Sequence, residues 1–172
     1  MEQDVTTGRQ QAANDPTFRV GPLVNIAHVL QMLGCEPDPV FKRSGLNRKD
    51  FRNPDHRLSY VRGSRLIAHC VEATGCDHFG LLLGKYADPS MLGIAGFLVR
   101  VASNTEQALL NLVENLNLHE DSAFVPLNIG ARYTSMGYTL QVPGISVIEQ
   151  VNDLAIAVLY KILRSLCGEQ WV

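Results

Sequence analysis

The chain has 172 residues and a formal net charge of -2, with 46% hydrophobic and 19% charged residues. These values are typical of one globular domain with a sizeable core. The nearly balanced charge gives no global reason to bind nucleic acid or an anionic membrane surface. No secretory signal opens the chain and no apolar stretch is long enough to cross a bilayer, so we expect a cytoplasmic protein without a membrane partner.

Residues 1–16 are polar and lack periodicity, which predicts a disordered tail before a single domain over residues 17–172. Apolar residues between 23 and 33 then recur at helical spacing, and Gly34 is placed to end that helix. The pair Asp38-Pro39 predicts the N-cap and first turn of a second helix.

Three further cap patterns predict helices in the middle of the chain. Ser59 is a candidate N-cap for a helix that Gly75 ends. Asp88-Pro89 predicts the start of a helix that contains two glycines, and glycines inside a helix usually mark close backbone packing. The sequence Ser103-Asn104-Thr105-Glu106 has the pattern of a capping box before a strongly amphipathic helix.

The pattern changes near residue 123. Alternating apolar residues on both sides of a glycine turn at 135–137 predict a β-hairpin. A long helix over about 146–166 follows, and it is apolar almost all round at its middle, which indicates burial on more than one side. The fold class is therefore α+β and mainly helical: a multi-helix N-terminal part, a β-hairpin and a long apolar C-terminal helix.

The residues that most resemble a metal site are His69, Cys70, Cys76 and His78, which are zinc-type ligands at poor spacing. We interpret them as buried thiols beside a boundary histidine. Motifs for a nucleophile or a phosphate loop are absent, so we predict no catalytic residue, no metal, no cofactor and no enzyme activity. A small enzyme or metal-binding protein that uses His69, Cys76 and His78 remains the least favoured alternative.

Residues 42–65 carry a local net charge of +6, from eight basic and two acidic residues. A phosphate-binding patch, and hence a nucleic-acid-binding protein, is one alternative. The favoured interpretation is a solvated surface on which some arginines pair with carboxylates elsewhere, because the segment lacks a long recognition helix.

Two sets of side chains are candidates for binding roles. The aromatic residues Phe97, Tyr133 and Tyr138 could line a ligand pocket, although aromatic residues more often fill a core. The long C-terminal helix could pair with a second copy of the chain to form a homodimer, through Val151, Leu154, Val158 and Ile162.

An ordered series of segments resembles the N-terminal effector-sensing, arabinose-binding-like domain of AraC-type bacterial transcription regulators. The resemblance covers about residues 20–171, and its segments are 57–60, 66–67, 73–75, 79–84, 92–96, 103–109 and 167–171. Each segment alone is unspecific, and the specificity lies in their order and spacing.

The resemblance implies a domain that binds a small effector of unknown identity, helps dimerisation and controls transcription. It also implies a separate DNA-reading domain with two helix-turn-helix units, through which alone DNA would be bound. The chain is thus expected to be a truncated form of a longer regulator, either a fragment or a natural short protein. Strands expected beyond Trp171 would help to enclose the ligand.

Overall fold

The computed structural model describes residues 16–168, 170 and 171, and the predicted tail lies almost wholly outside the described residues. Helices within the described part are α1 (Ile26–Met32), α2 (Pro37–Arg43), α3 (Tyr60–Thr74), α4 (Phe79–Gly84), α5 (Ile94–Arg100), α6 (Thr105–Asn115) and α7 (Ile148–Cys167). Strands are β1 (Thr17–Arg19), β2 (Arg57–Ser59), β3 (Ala123–Phe124), β4 (Leu127–Ile129), β5 (Thr134–Met136) and β6 (Thr139–Leu140). The predicted fold class, mainly helical α+β, is confirmed.

Helix boundaries follow local capping chemistry, with one shift in the N-terminal half. Ser59 caps α3 as predicted, because its side chain accepts a hydrogen bond from the Arg62 amide at 3.3 Å, and Gly75 ends the helix at a φ of 63°. The predicted start of α2 at Asp38-Pro39 is wrong. The helix begins at Pro37, because a proline needs no amide partner in the first turn and its fixed φ suits that position.

Two further predicted boundaries are corrected. The glycine-bearing helix is interrupted at Gly93, whose φ of 64° separates a 3-10 turn at Pro89–Leu92 from α5. Gly96 does lie where backbones meet, because a methyl group there would overlap the Pro89 carbonyl. The cap of α6 is Asn104 rather than Ser103, with its side chain accepting from the Gln107 amide at 2.8 Å.

The predicted β-hairpin exists, but its turn lies elsewhere. Strand β4 pairs antiparallel with β5 and β3 pairs antiparallel with β6, so the turn is at residues 130–133. Gly137 instead lies between β5 and β6, where its amide donates to the Pro126 carbonyl at 2.9 Å. Because Pro126 has no amide to return a bond and its ring lies against Gly137, the ladder is interrupted at this point.

The unusual apolarity of helix α7 is explained by its packing against two different parts of the protein. One side lies against α4, where Gly80 and Gly84 allow close approach. Another side, including Leu154, Val158 and Ile162, is buried in the core that the N-terminal helices complete. Within the described residues, no helix is long and apolar enough to cross a membrane.

Candidate ligand-binding cavity

A cavity of about 350 Å³ lies between α3, α6, α7 and the hairpin. Volumes of this order are at the lower end of the range for small-molecule sites. Most of its lining side chains are aliphatic or aromatic, and the polar side chains on its wall are Tyr60, Ser64, His119, Glu120, Tyr138 and Asn152. The cavity is therefore a mainly apolar chamber with a few polar groups.

Glu120 is the carboxyl group of this wall and is only 7% exposed. The hydroxyls of Tyr60 and Tyr138 both donate to its Oε2, the latter at 2.9 Å. No described residue donates to Oε1. Burial raises the pKa of Glu120, and the two tyrosine hydrogen bonds partly oppose that shift. Burial and the adjacent carboxyl group also raise the pKa of both tyrosines.

The segment that carries Glu120 is held by strand β1. Backbone groups of β1 bond to this segment on both sides: the Arg19 amide donates to the His119 carbonyl and the Asp121 amide to the Thr17 carbonyl. The Arg57 guanidinium adds an ion pair to Asp121 at 2.6 Å. These bonds fix the backbone at Glu120, so its side chain is positioned by the scaffold rather than by a free loop.

Two residues of the wall each have a fully buried polar atom without a hydrogen-bond partner among the described residues: His119 Nδ1 and Asn152 Oδ1. Burial, with smaller contributions from Arg19 and Arg57, lowers the pKa of His119 to about 4. The imidazole is therefore neutral at neutral pH. By contrast, Ser64 is satisfied, because its hydroxyl donates to the Val61 carbonyl and accepts from the Ser146 amide.

The structure separates the three predicted ligand-binding aromatic residues. Tyr138 lines the cavity and bonds to Glu120. Tyr133 is 75% exposed in the hairpin turn, and Phe97 is 61% exposed on α5, beside a shallow cleft that includes Arg19 and Asp55. Neither lines the cavity. Tyr133 differs from Tyr138 because it lies in the turn between β4 and β5, whereas Tyr138 lies between β5 and β6.

The residues predicted to form a dimer interface, Val151, Leu154, Val158 and Ile162, all line the cavity. Leu154 and Val158 are each 7% exposed and Ile162 is 1% exposed, so they face the interior of their own chain. A second copy could not contact these buried side chains without opening the fold. Dimerisation and its assignment to these residues both stay predictions, and the burial of Leu154, Val158 and Ile162 argues against those three as contacts.

Two candidates from the sequence remain: the zinc-type ligands around His69 and Cys70, and the basic segment 42–65. His69 Nδ1 lies 2.8 Å from Ser44 Oγ, and Cys70 is a buried thiol whose pKa burial raises to about 12. The part of the chain that the structure describes holds no group of three metal-ligating side chains. In the basic segment, ion pairs join Arg43 to Glu72 and Arg57 to Asp121, as the favoured interpretation predicts.

Comparison of the chain with known protein families identifies a family of ligand-binding domains. Residues 34–172 match the family described as the arabinose-binding domain at the N-terminus of AraC transcription regulators. The chain belongs to that family. The match includes every helix from α2 onward, and it confirms the resemblance seen in the sequence. A search of curated proteins found no match. The arabinose-binding family is one of ligand-sensing regulatory domains, and a mainly apolar cavity is the feature of this member that suits a ligand.

The sequence did not single out Glu120, Tyr60, His119 or Asn152 as members of a site. These residues come from three separate parts of the chain and share no motif. One signal was available: His119-Glu120-Asp121 is a run of ionisable residues directly after the amphipathic α6 and before the hairpin. Its burial depends on β1, which lies about 100 residues earlier in the chain.

Proposed function

We propose that this domain binds a small effector in the cavity beneath α7 and, on binding, regulates transcription. The observation that supports this proposal is a mainly apolar cavity of about 350 Å³ whose wall includes the buried, hydrogen-bonded carboxyl group of Glu120. Pockets that combine apolar walls with a few fixed polar groups are the usual form of small-molecule sites. Family membership supports the regulatory part of the proposal.

Helix α7 is the element best placed to report ligand binding. Val151, Leu154 and Val158 line the cavity, while Ala157 on another side of the helix contacts α4. A ligand in contact with the cavity-lining side chains of α7 changes the position of this helix only if it binds one of two arrangements of α7 more tightly than the other. The output would be a DNA-binding domain that is outside this chain, as the family description implies.

Homodimerisation is the second part of the proposal, and it needs a surface other than the inner side of α7. Sedimentation equilibrium of the native chain tests it directly, with dimer mass as the expected result and monomer mass at high concentration as the contrary one. Val158→Asp is not a useful variant for this purpose. It would bury an unpaired carboxylate and report on folding rather than on association.

Filling the cavity provides the test of the ligand site. Ala155 lies on α7 and lines the cavity, so Ala155→Phe should occupy part of the space that a ligand needs. We expect it to weaken binding of any effector found by thermal-shift screening by at least about tenfold, which corresponds to about 1.4 kcal/mol. Isothermal titration calorimetry measures the dissociation constants of both proteins.

The matched control is Ala73→Phe, the same substitution at an exposed position of α3 that does not line the cavity. This variant should bind the effector as the native chain does. Equal affinity of the native and Ala155→Phe proteins for that effector would place its site elsewhere and refute the proposal.

A further inference from the structure

We propose that the effector is an amphipathic molecule with an apolar body and a hydrogen-bond-donating head group, an alcohol or an amine, that donates to Glu120 Oε1. This inference rests on the proposed function of the cavity and names its ligand class.

The hydrogen bonds of Glu120 are shared unevenly between its two oxygens. Tyr60 and Tyr138 both donate to Oε2, which leaves Oε1 without a donor among the described residues. Glu120 lines the cavity and is 7% exposed, so bulk water reaches this carboxyl group poorly. Oε1 is not one of the fully buried atoms without a partner among the described residues, so this acceptor keeps accessible surface, and a ligand N–H or O–H in the cavity would donate to it.

The charges around the cavity argue against an anionic head group. No lysine or arginine is among the residues that line it, whereas a carboxylate or phosphate in an apolar site needs a cation or several donors. Arg57 and Arg19, whose charges act on the wall residue His119, already pair with Asp121 and Asp55. An anionic ligand would also face the carboxyl group of Glu120.

A free sugar fits the cavity poorly, although the family description names arabinose. A pentose carries a hydroxyl or ring oxygen at every carbon, and each one loses its hydrogen bonds to water when it enters the protein. The aliphatic wall formed by α6 and α7 leaves most of them without partners. The unpartnered atoms of His119 and Asn152 have almost no accessible surface, so they offer the hydroxyls of a sugar no accessible partner.

Four probes of defined chemistry test the inference on the native chain: octanol, octylamine, octanoate and L-arabinose. We expect octanol, octylamine or both to raise the melting temperature by about 5 °C or more at about a hundredfold excess over the dissociation constant. Octanoate and L-arabinose should leave it unchanged. Binding of octanoate or L-arabinose as tight as that of the alcohol and amine overturns the inference, and so does a failure of both the alcohol and the amine to bind.

The variant Glu120→Gln tests the role of Oε1. Because Tyr60 and Tyr138 donate to one oxygen, the amide oxygen should keep that place and the amide NH₂ should replace Oε1. A donor then stands where an acceptor stood. Affinity for octanol and octylamine should fall at least tenfold, and affinity for octanoate should rise. Glu114→Gln, at an exposed position of α6, is the matched control and should change neither affinity. Unchanged alcohol and amine affinity in Glu120→Gln overturns the inference.

A second variant keeps the test decisive if Glu120→Gln does not fold. Tyr138→Phe removes one donor to Oε2 but retains the carboxyl group, so the preference for octanol or octylamine over octanoate should persist. Loss of that preference contradicts the inference. Failure of this inference can be distinguished from failure of the proposed function. If octanoate or L-arabinose binds and Ala155→Phe blocks that binding, the cavity remains the ligand site and only the proposed ligand chemistry is refuted.

Discussion

Gly80→Ala is expected to lower the free energy of unfolding by about 3 kcal/mol, the upper end of the range for overpacking a core. A methyl group at this position of α4 would overlap the backbone carbonyl of Gln150 on α7. The same contact holds the Gly80 amide 2.9 Å from the Gln150 side-chain oxygen, and the side-chain Nε2 of Gln150 donates to the Asp77 carbonyl at 2.6 Å. Backbone atoms cannot rotate away as a side chain can, so the two helices must separate and both bonds lengthen.

Urea unfolding of the native and variant proteins measures this change. Gly84→Ala supplies a matched test on the same helix, because its added methyl would overlap a side chain, the Cβ of Ala157, rather than backbone. Gly84→Ala should also destabilise, and combination with Ala157→Gly should restore stability to within about 0.5 kcal/mol, since the swap returns the space. Stability of Gly80→Ala equal to that of the native chain would show that α4 and α7 do not pack this closely.

The sequence predicts the elements of this fold better than their exact boundaries. Cap patterns located α3 and α6 within one residue, because a capping side chain and its amide partner are close neighbours in the chain. The hairpin turn was misplaced for a related reason. Gly137 is a residue typical of turns, yet its position is fixed by its hydrogen bond to Pro126 on the opposite strand segment. Pairing between strands depends on residues distant in the sequence, so the local pattern did not reveal it.

The candidate site was harder to predict, because its chemistry depends on burial. The apolar arc of α7 correctly predicted a helix covered on several sides, but periodicity does not distinguish a partner chain from the helix's own core and cavity. Glu120 illustrates the same limit. A carboxylate between a helix and a hairpin is typical of an exposed loop, and only its bridge to Phe18 and its bonds from Tyr60 and Tyr138 reveal a buried group.

The acid sensitivity of the domain should depend on His119. The pKa of this imidazole is lowered from 6.5 to about 4 by burial, with smaller contributions from Arg19 and Arg57. Above pH 6.5 the group is neutral in both the folded and unfolded chain, and its contribution to stability is fully present. As the pH falls from 6.5 to 4, the unfolded chain binds a proton that the folded chain does not. A shift of this size, at 1.36 kcal/mol for each pH unit, removes about 3 kcal/mol of stability.

Glu120, the next residue, acts in the opposite direction. Burial raises the pKa of its carboxyl group, so the folded chain retains a proton that the unfolded chain loses as the pH rises. The stability that Glu120 contributes is present below its unfolded pKa and is lost as the pH rises through the folded pKa. Because the two contributions oppose one another over part of the same range, the native chain alone does not separate them, and a variant is needed.

His119→Asn keeps a polar group at the position but removes its titration. Between pH 6.5 and pH 4 the melting temperature of the native chain should fall relative to that of His119→Asn, by roughly 6–12 °C at about 2–4 °C for each kcal/mol. The comparison uses the slope of each curve, so a uniform change in stability caused by the substitution does not affect it. Parallel pH curves for the two proteins would show that the imidazole titrates in the folded chain as it does in the unfolded one. The wall around Glu120 would then be open to water rather than the buried, apolar chamber on which the ligand proposal depends.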